Sequence, residues 1–500
     1  PANSYIYLYG DMDMEERLNW MDQEYLSKYD AIPVDSRIPL QKPFNQVKEI
    51  EMEYPISESE PVEENSYLSY NLVVGDSLDV EQCIAFEVLD YVLLSAPGAP
   101  LKQVLLDAGI GKDILGSYED GIYQPFFSIV AKNARPESKE KFLSMIRETL
   151  EKIVKEGIDQ KAVAAGINYM EFRFREADYS SFPKGLMYGI DVFDSWLYDE
   201  NKPFDQLMRL DIYKRLKEKA GTGYFEGLIQ KYLLDNTHGS VVVVNPKRGL
   251  AAERDAQLEE KLAQYKASLS QEELENLMKA TAHLKEYQDA PETEEALKTI
   301  PLLKREDITR ETGKFYNTEK HAGETLILHH DLYTNGIGYL NLLFNTKKVP
   351  SGLVPYLGIL KSVLGYVDTE HYTYGELFNE INARTGGILF GIQVFGNARD
   401  NRLTTHMMGI KAKALYEDLP FVFQMIREIL CTSRLDDEKR LYEIIAKMKS
   451  RMQMSMVSAG HSTAVNRVLS YFSENAYFQE KIAGIDFYEL IDDLEKNFQE

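Results

Sequence analysis

Eight histidines, at positions 238, 283, 321, 329, 330, 371, 406 and 461, are the residues best able to hold a metal in this chain. Two histidines four apart on a helix share one face and can grip one zinc ion, while a neighbouring glutamate activates water. No histidine here has another four positions away, so neither H-x-x-E-H nor H-E-x-x-H occurs. His329-His330-Asp331 gathers three potential ligands, but adjacent strand residues face opposite ways, so a structural role is expected. His461, between Gly460 and Ser462, reads as a turn or helix-cap residue. Gly386-Gly387 could cradle an anion, although a tight turn needing positive φ explains the pair better. Cys83 and Cys431 each lie in an apolar helical pattern and read as buried free thiols of a reducing compartment. They lack the paired Cys-x-x-Cys that zinc binding would need. No catalytic, cofactor-binding or metal-ligating residue is therefore assigned.

Composition narrows the function classes. The formal charge of −24 argues against nucleic acid as a partner, because phosphate binding needs a cationic surface. It permits attraction of basic peptides. A hydrophobic share of 44% is ample for burial, and 500 residues suggest two or three domains. No run approaches the roughly 18 consecutive apolar residues of a membrane span. The opening Pro1-Ala2-Asn3-Ser4 lacks a basic region followed by an apolar core, so no signal peptide is visible. A soluble, intracellular protein is expected, bacterial cytoplasm favoured over an organelle matrix, with no membrane partner.

Residue patterns then predict the elements. Tyr5-Ile6-Tyr7-Leu8-Tyr9 reads as a strand, and residues 12–29 as a helix. A proline-bearing connector through Pro33, Pro39 and Pro43 follows. Strands are expected at 47–54, 67–74, 114–118 and 124–131, with helices at 80–94, 100–108 and 138–156, the last capped by Ser138. Val241-Val242-Val243-Val244 is a buried strand. Residues 251–266 and 271–287 form a helical hairpin whose second helix opens on the capping box Ser270-Gln271-Glu272-Glu273.

An internal repeat organises these elements. Met145-Ile146-Arg147-Glu148-Thr149-Leu150 recurs as Met425-Ile426-Arg427-Glu428-Ile429-Leu430. Ser69-Tyr70-Asn71-Leu72 corresponds to Gly338-Tyr339-Leu340 and Asn341-Leu342, and Leu210-Asp211-Ile212-Tyr213 to Ile485-Asp486-Phe487-Tyr488. The order is the same twice: strand, helix, short helix, two strands, several helices. The predicted division is a terminal strand and helix of a truncated first repeat (1–30), a linker (31–46), a second repeat (47–247), a hairpin linker (248–305) and a third repeat (306–500). The third is expected to lack its final strand at Glu500, so the chain reads as a piece of a longer tandem array.

The run from Thr334-Asn335-Gly336 through Asn341-Leu342-Leu343-Phe344-Asn345-Thr346 resembles the third repeat of the presequence-protease branch of the insulinase/pitrilysin superfamily. So do Val354-Pro355-Tyr356-Leu357, Thr373-Tyr374-Gly375-Glu376-Leu377, Thr385-Gly386-Gly387-Ile388 and Ser458-Ala459-Gly460-His461-Ser462. Ala296-Leu297-Lys298-Thr299-Ile300-Pro301 is similar to the exit of that family's hairpin. The resemblance implies an α+β fold of tandem homologous α/β-sandwich repeats, antiparallel-rich sheets packed by helices and joined by the hairpin. It also implies a zinc endopeptidase that degrades unstructured peptides in a closed chamber. Zinc would be held in the first repeat, and an Arg and a Tyr would act from the fourth, both outside this chain. This piece would form chamber wall and hinge, bind no metal and be inert alone. A non-catalytic scaffold subunit of the same superfamily is the alternative.

Overall fold

The computed structural model describes residues 3–300, 302–311, 313–334, 336–400 and 403–498. Pro1, Ala2, Pro301, Asn335 and Glu500, named above, lie outside them. Two compact units result. One holds the described residues of 1–53, 61–246 and 337–500, and the other those of 54–60 and 247–336.

In the first unit, helix α1 (Met14–Glu24) is capped by Asp13, whose carboxylate accepts from the Glu16 N–H at 2.9 Å. Residues 5–9 form no strand, contrary to expectation. Their alternate tyrosines find aromatic partners on a helix instead: Tyr5 lies edge-on to Trp196 at 4.9 Å and Tyr9 to Tyr188 at 5.9 Å. An aromatic, period-two run satisfies a helix surface as readily as a sheet.

The first repeat present runs through β1 (Lys48–Ile56), β2 (Ser66–Val73), α2 (Val80–Asp90), α3 (Pro100–Asp107), β3 (Asp113–Glu119), β4 (Phe126–Ala134), α4 (Lys139–Glu156), α5 (Gln160–Glu176), α6 (Lys184–Trp196), α7 (Leu210–Lys219), α8 (Tyr224–Leu228) and β5 (Gly239–Arg248). Its sheet has the order β1-β5-β2-β4-β3. Strand β2 pairs antiparallel with both neighbours, Leu68 opposite Ala131 on one side and Val243 on the other. The alternate residues Leu68, Leu72, Phe127, Ile129, Ile114 and Val243 join the helices in one buried core. Helix α2 is buried nearly all round, which explains its unbroken apolar composition. It continues through a widened turn, Tyr91–Ser95, closed by the Ala96 N–H to Tyr91 carbonyl bond at 2.8 Å. The helical run Val80–Asp107 is long and apolar enough on average to cross a membrane, but 67% of its apolar window is buried in this core.

The second unit contains the hairpin, α9 (Leu250–Ser268) and α10 (Gln271–Asp289), then α11 (Glu294–Thr299) and the two-stranded ribbon β6 (Thr318–Ala322) and β7 (Thr325–His329). The capping box is made: Ser270 Oγ accepts from the Glu273 N–H, and the Glu273 carboxylate accepts from the Ser270 N–H at 2.8 Å.

The second repeat returns to the first unit with β8 (Ile337–Asn345), α12 (Val354–Val363), α13 (Tyr374–Arg384), β9 (Ile388–Gly396), β10 (Thr404–Leu415), α14 (Leu419–Thr432), α15 (Glu438–Ser458), α16 (Gly460–Leu469), α17 (Glu474–Ala483) and α18 (Ile485–Lys496). Its sheet, β8-β10-β9, repeats the order β2-β4-β3. Single turns at Pro136–Ser138 and Tyr416–Asp418 enter α4 and α14 alike. The duplicated hexapeptides therefore occupy corresponding helices, with Ile146 and Ile426 both buried.

Two local expectations fail. Ser138 ends the single turn in helical geometry, and its side chain makes no capping bond, because the Pro136 turn already starts the helix. Cys83 is buried, but Cys431 is exposed. Two residues past the core-facing Ile429, it lies about 200° round α14 from the buried stripe.

Candidate functional site

The two repeats meet across polar side chains that their apolar neighbours hold in place. From the first, Tyr91 of the widened turn stacks on Tyr169 of α5 at 5.4 Å and on Phe378 of α13 at 6.1 Å. Its hydroxyl accepts from Asn382 Nδ2 at 3.0 Å, and both residues are buried. Glu176, at the end of α5, is buried and pairs with Lys413 of β10, while Tyr339 of β8 donates to it at 2.8 Å. Lys439 of α15 reaches Asp107 at 2.8 Å. Arg440 lies 3.9 Å over the Tyr374 ring, whose hydroxyl donates to Gln103 at 2.9 Å. Packing and polar bonds thus cross the joint together.

Around these contacts lies a cavity of about 1490 Å3, walled by both repeats. At one end the buried Asp113 receives Lys102 at 3.1 Å and Arg451 Nε at 3.6 Å. Lys102 also donates to the Ile114 carbonyl at 2.5 Å. Lys447 points its ammonium into the same region; burial, with repulsion from Lys102 and Arg451, pulls it down to about 8. Burial lowers Lys361 on the cavity wall too. Such a space can hold extended chain or small anions.

The residues that drew notice in the sequence lie elsewhere or serve the backbone. His329 ends β7 with its Nδ1 3.4 Å from Lys320, and His330 Nδ1 lies 3.0 Å from the Tyr316 carbonyl. Both are exposed, as is Asp331. His461 is the second residue of α16 and exposed. Gly386-Gly387 does line the cavity, but as a turn. Gly387 takes φ 109°, and a Cβ on Gly386 would fall 2.3 Å from the Phe172 ring. The N–H of Gly386 donates to Lys413 and that of Gly387 to Thr385, so neither is free for an anion. Among the described residues no three His, Cys, Asp or Glu side chains gather to hold a metal, so zinc is offered no donor set. Sequence reasoning passed over Asp113, Lys102, Lys447 and Arg451; the one available signal was Lys447, a charge set in the apolar run Ile444-Ile445-Ala446-Lys447-Met448.

A separate acidic cluster lies within the first repeat present. Burial first, then Asp120 and Asp191, push the Asp194 carboxyl up to about 7. A native carboxyl that keeps its proton above the unfolded range gives stability that is full below about pH 4 and lost as pH rises towards 7. Asp194→Asn should therefore leave stability near pH 4 unchanged and raise it above pH 7 by about 1–2 kcal/mol, after discounting for solvent screening of a part-exposed group. Urea melts at pH 4.5 and pH 8 check this, and a gain at the lower pH would contradict it.

The family model for the region associated with subfamily C of the M16 peptidases matches residues 244–494, and that described as Peptidase M16 inactive domain matches residues 1–170. Protein HypA of Clostridium perfringens (strain 13 / Type A) is 39% identical over 496 residues, covering 99% of this chain and 51% of that protein. Presequence protease 1, chloroplastic/mitochondrial, of Arabidopsis thaliana is 28% identical, covering 100% of this chain and 47% of that protein. Presequence protease, mitochondrial, of Danio rerio is 23% identical, covering 97% and 47%. The chain spans about half the length of the curated relatives it matches.

Proposed function

The chain belongs to the insulinase/pitrilysin peptidase family, in its presequence protease branch, and on that premise we propose that it forms the non-catalytic central part of a zinc-dependent endopeptidase. Its two repeats and hairpin would supply wall and hinge of a chamber that degrades unstructured peptides. One observation carries the reading: a peptidase-family chain with no two histidines four apart anywhere in its sequence. Zinc and the groups that act with it would then reside in the first and fourth repeats of the same polypeptide. The boundaries we propose are 1–30 for the end of the first repeat, 31–46 for a linker, 47–247 for the second, 248–305 for the hairpin and 306–500 for the third.

The sheets support that division. In the first repeat present β5 covers one edge of β2, whereas β8 lies at the edge of its sheet. A closing strand supplied by further chain would pair there, as β5 pairs with β2. Peptides would bind the intact enzyme by strand addition at a sheet edge, which reads backbone more than sequence. The two free cysteines favour a reducing, intracellular compartment.

The test compares the 500-residue chain with the longer reading frame that contains it. Alone, the chain should hold no stoichiometric zinc and cleave no unstructured peptide, while the longer protein should cleave in a chelator-sensitive way. Chelator-sensitive cleavage by the chain alone would overturn the assignment. A longer frame without H-x-x-E-H would leave the scaffold subunit as the reading.

A further inference from the structure

Four cations converge at the end of the inter-repeat cavity: Lys102 on α3, Lys132 on β4, and Lys447 and Arg451 one turn apart on α15. They come from both repeats. The counter-charge within reach is the single buried carboxylate of Asp113, already engaged by Lys102 at 3.1 Å and Arg451 at 3.6 Å. Lys132 donates to the Ser450 carbonyl at 3.2 Å, a neutral acceptor. Lys447 has no hydrogen-bond or ion-pair partner among the described residues. This excess does not reflect a basic protein, because the whole chain carries −24. Partly buried like charges facing one another across a joint are costly unless an anion joins them.

We propose that Lys102, Lys132, Lys447 and Arg451 bind a phosphate-type dianion that bridges the two repeats. A dianion offsets the surplus better than a single carboxylate, and an arginine fork beside lysine point charges suits phosphate oxygens. The cavity, about 1490 Å3, leaves room for a substituent on the phosphate. Anion binding here is independent of whether the chain serves an active peptidase. When the anion binds, the Lys447 ammonium gains a partner and takes up a proton above pH 8.

Calorimetry and thermal melts of the 500-residue chain at pH 8.5 test this. The probes are inorganic phosphate and glycerol 2-phosphate, with sodium chloride at matched ionic strength as the control. Phosphate should bind with proton uptake, seen as a buffer-dependent heat, and raise the melting midpoint where chloride does not. Binding of both probes would assign the site to a phosphomonoester, and binding of inorganic phosphate alone to the free ion. Lys447→Met should weaken binding at least tenfold and abolish proton uptake, while leaving the anion-free midpoint equal or higher. Lys152→Met, on the exposed face of α4 beside Glu156, should change neither. No binding at millimolar phosphate, an equal shift with chloride, or undiminished binding by Lys447→Met would overturn the proposal.

Discussion

Asp113→Ala should destabilise the first unit by about 3–5 kcal/mol, the cost of removing one partner from a buried ion pair. The carboxylate is buried and holds Lys102, itself mostly buried, at 3.1 Å and Arg451 at 3.6 Å. Truncation leaves Lys102, Lys132, Lys447 and Arg451 facing one another without an anion. Arg451 is half exposed and regains water, so the lower end of that range applies if its side chain swings out. Asp113→Ala combined with Lys447→Met should recover part of the loss, because one of the four like charges goes with it. That sign separates electrostatics from packing, since a cavity effect would make the two losses add. Urea unfolding of the wild type, both single variants and the double variant gives the coupling energy. A loss below about 1 kcal/mol for Asp113→Ala would mean that solvent already screens the cluster.

The sequence made the fold legible where local and long-range signals agreed. The alternating strands beside Val241-Val242-Val243-Val244, the helical periods of α2 and α4, and the Ser270–Glu273 capping box all took the forms their residues favour. The duplicated hexapeptide worked because α4 and α14 present equivalent faces to equivalent sheets, so selection for packing kept both alike. Legibility ended where a residue's fate depended on a distant partner. Residues 5–9 have strand composition, but α6 offers small residues at Gly185 and Gly189 against which Tyr9 and Tyr7 settle. A Cβ at either glycine would fall within 3 Å of a tyrosine ring, so the helix surface was shaped for these side chains. Nothing near residue 5 announces that arrangement.

The candidate site was less legible for the same reason, on a larger scale. Its cations come from positions 102, 132, 447 and 451 and its carboxylate from 113, so no window of sequence contains the cluster. Periodicity places Lys102 and Lys447 on helices, yet their neighbours there, Leu101 and Ala446, are buried core residues, and a lysine beside core usually snorkels to water. The second repeat opposite them removes that exit. The glycine pair at 386–387 was read correctly as a turn, because positive φ is a local requirement. Its second task, clearing space for Phe172 of α5, is tertiary.

The two repeats share a topology but not a core, and Phe86→Ala exposes the difference. Phe86 is fully buried on α2, with the rings of Tyr118, Phe127 and Tyr232 at 5.8, 6.2 and 5.7 Å. Removing it forfeits transfer energy and three ring contacts and leaves a cavity, for about 3–5 kcal/mol in all. Leu360, the seventh residue of α12 as Phe86 is of α2, is only partly buried at the rim of a small cluster. The buried residues of the second repeat form several separate clusters, whereas those of the first form one continuous cluster. Continuous cores open as a unit, and divided ones open in parts. In the wild type, amides of β2 and β4 should therefore outlast those of β10 and α14 in hydrogen exchange. Phe86→Ala should cut protection of β2 and β4 by roughly 10²–10³-fold, by conversion of that energy loss, and leave α14 within about threefold of wild type. Equal loss of protection in both sheets would mean that the joint through Tyr91, Phe378 and Asn382 fuses the repeats into a single cooperative unit.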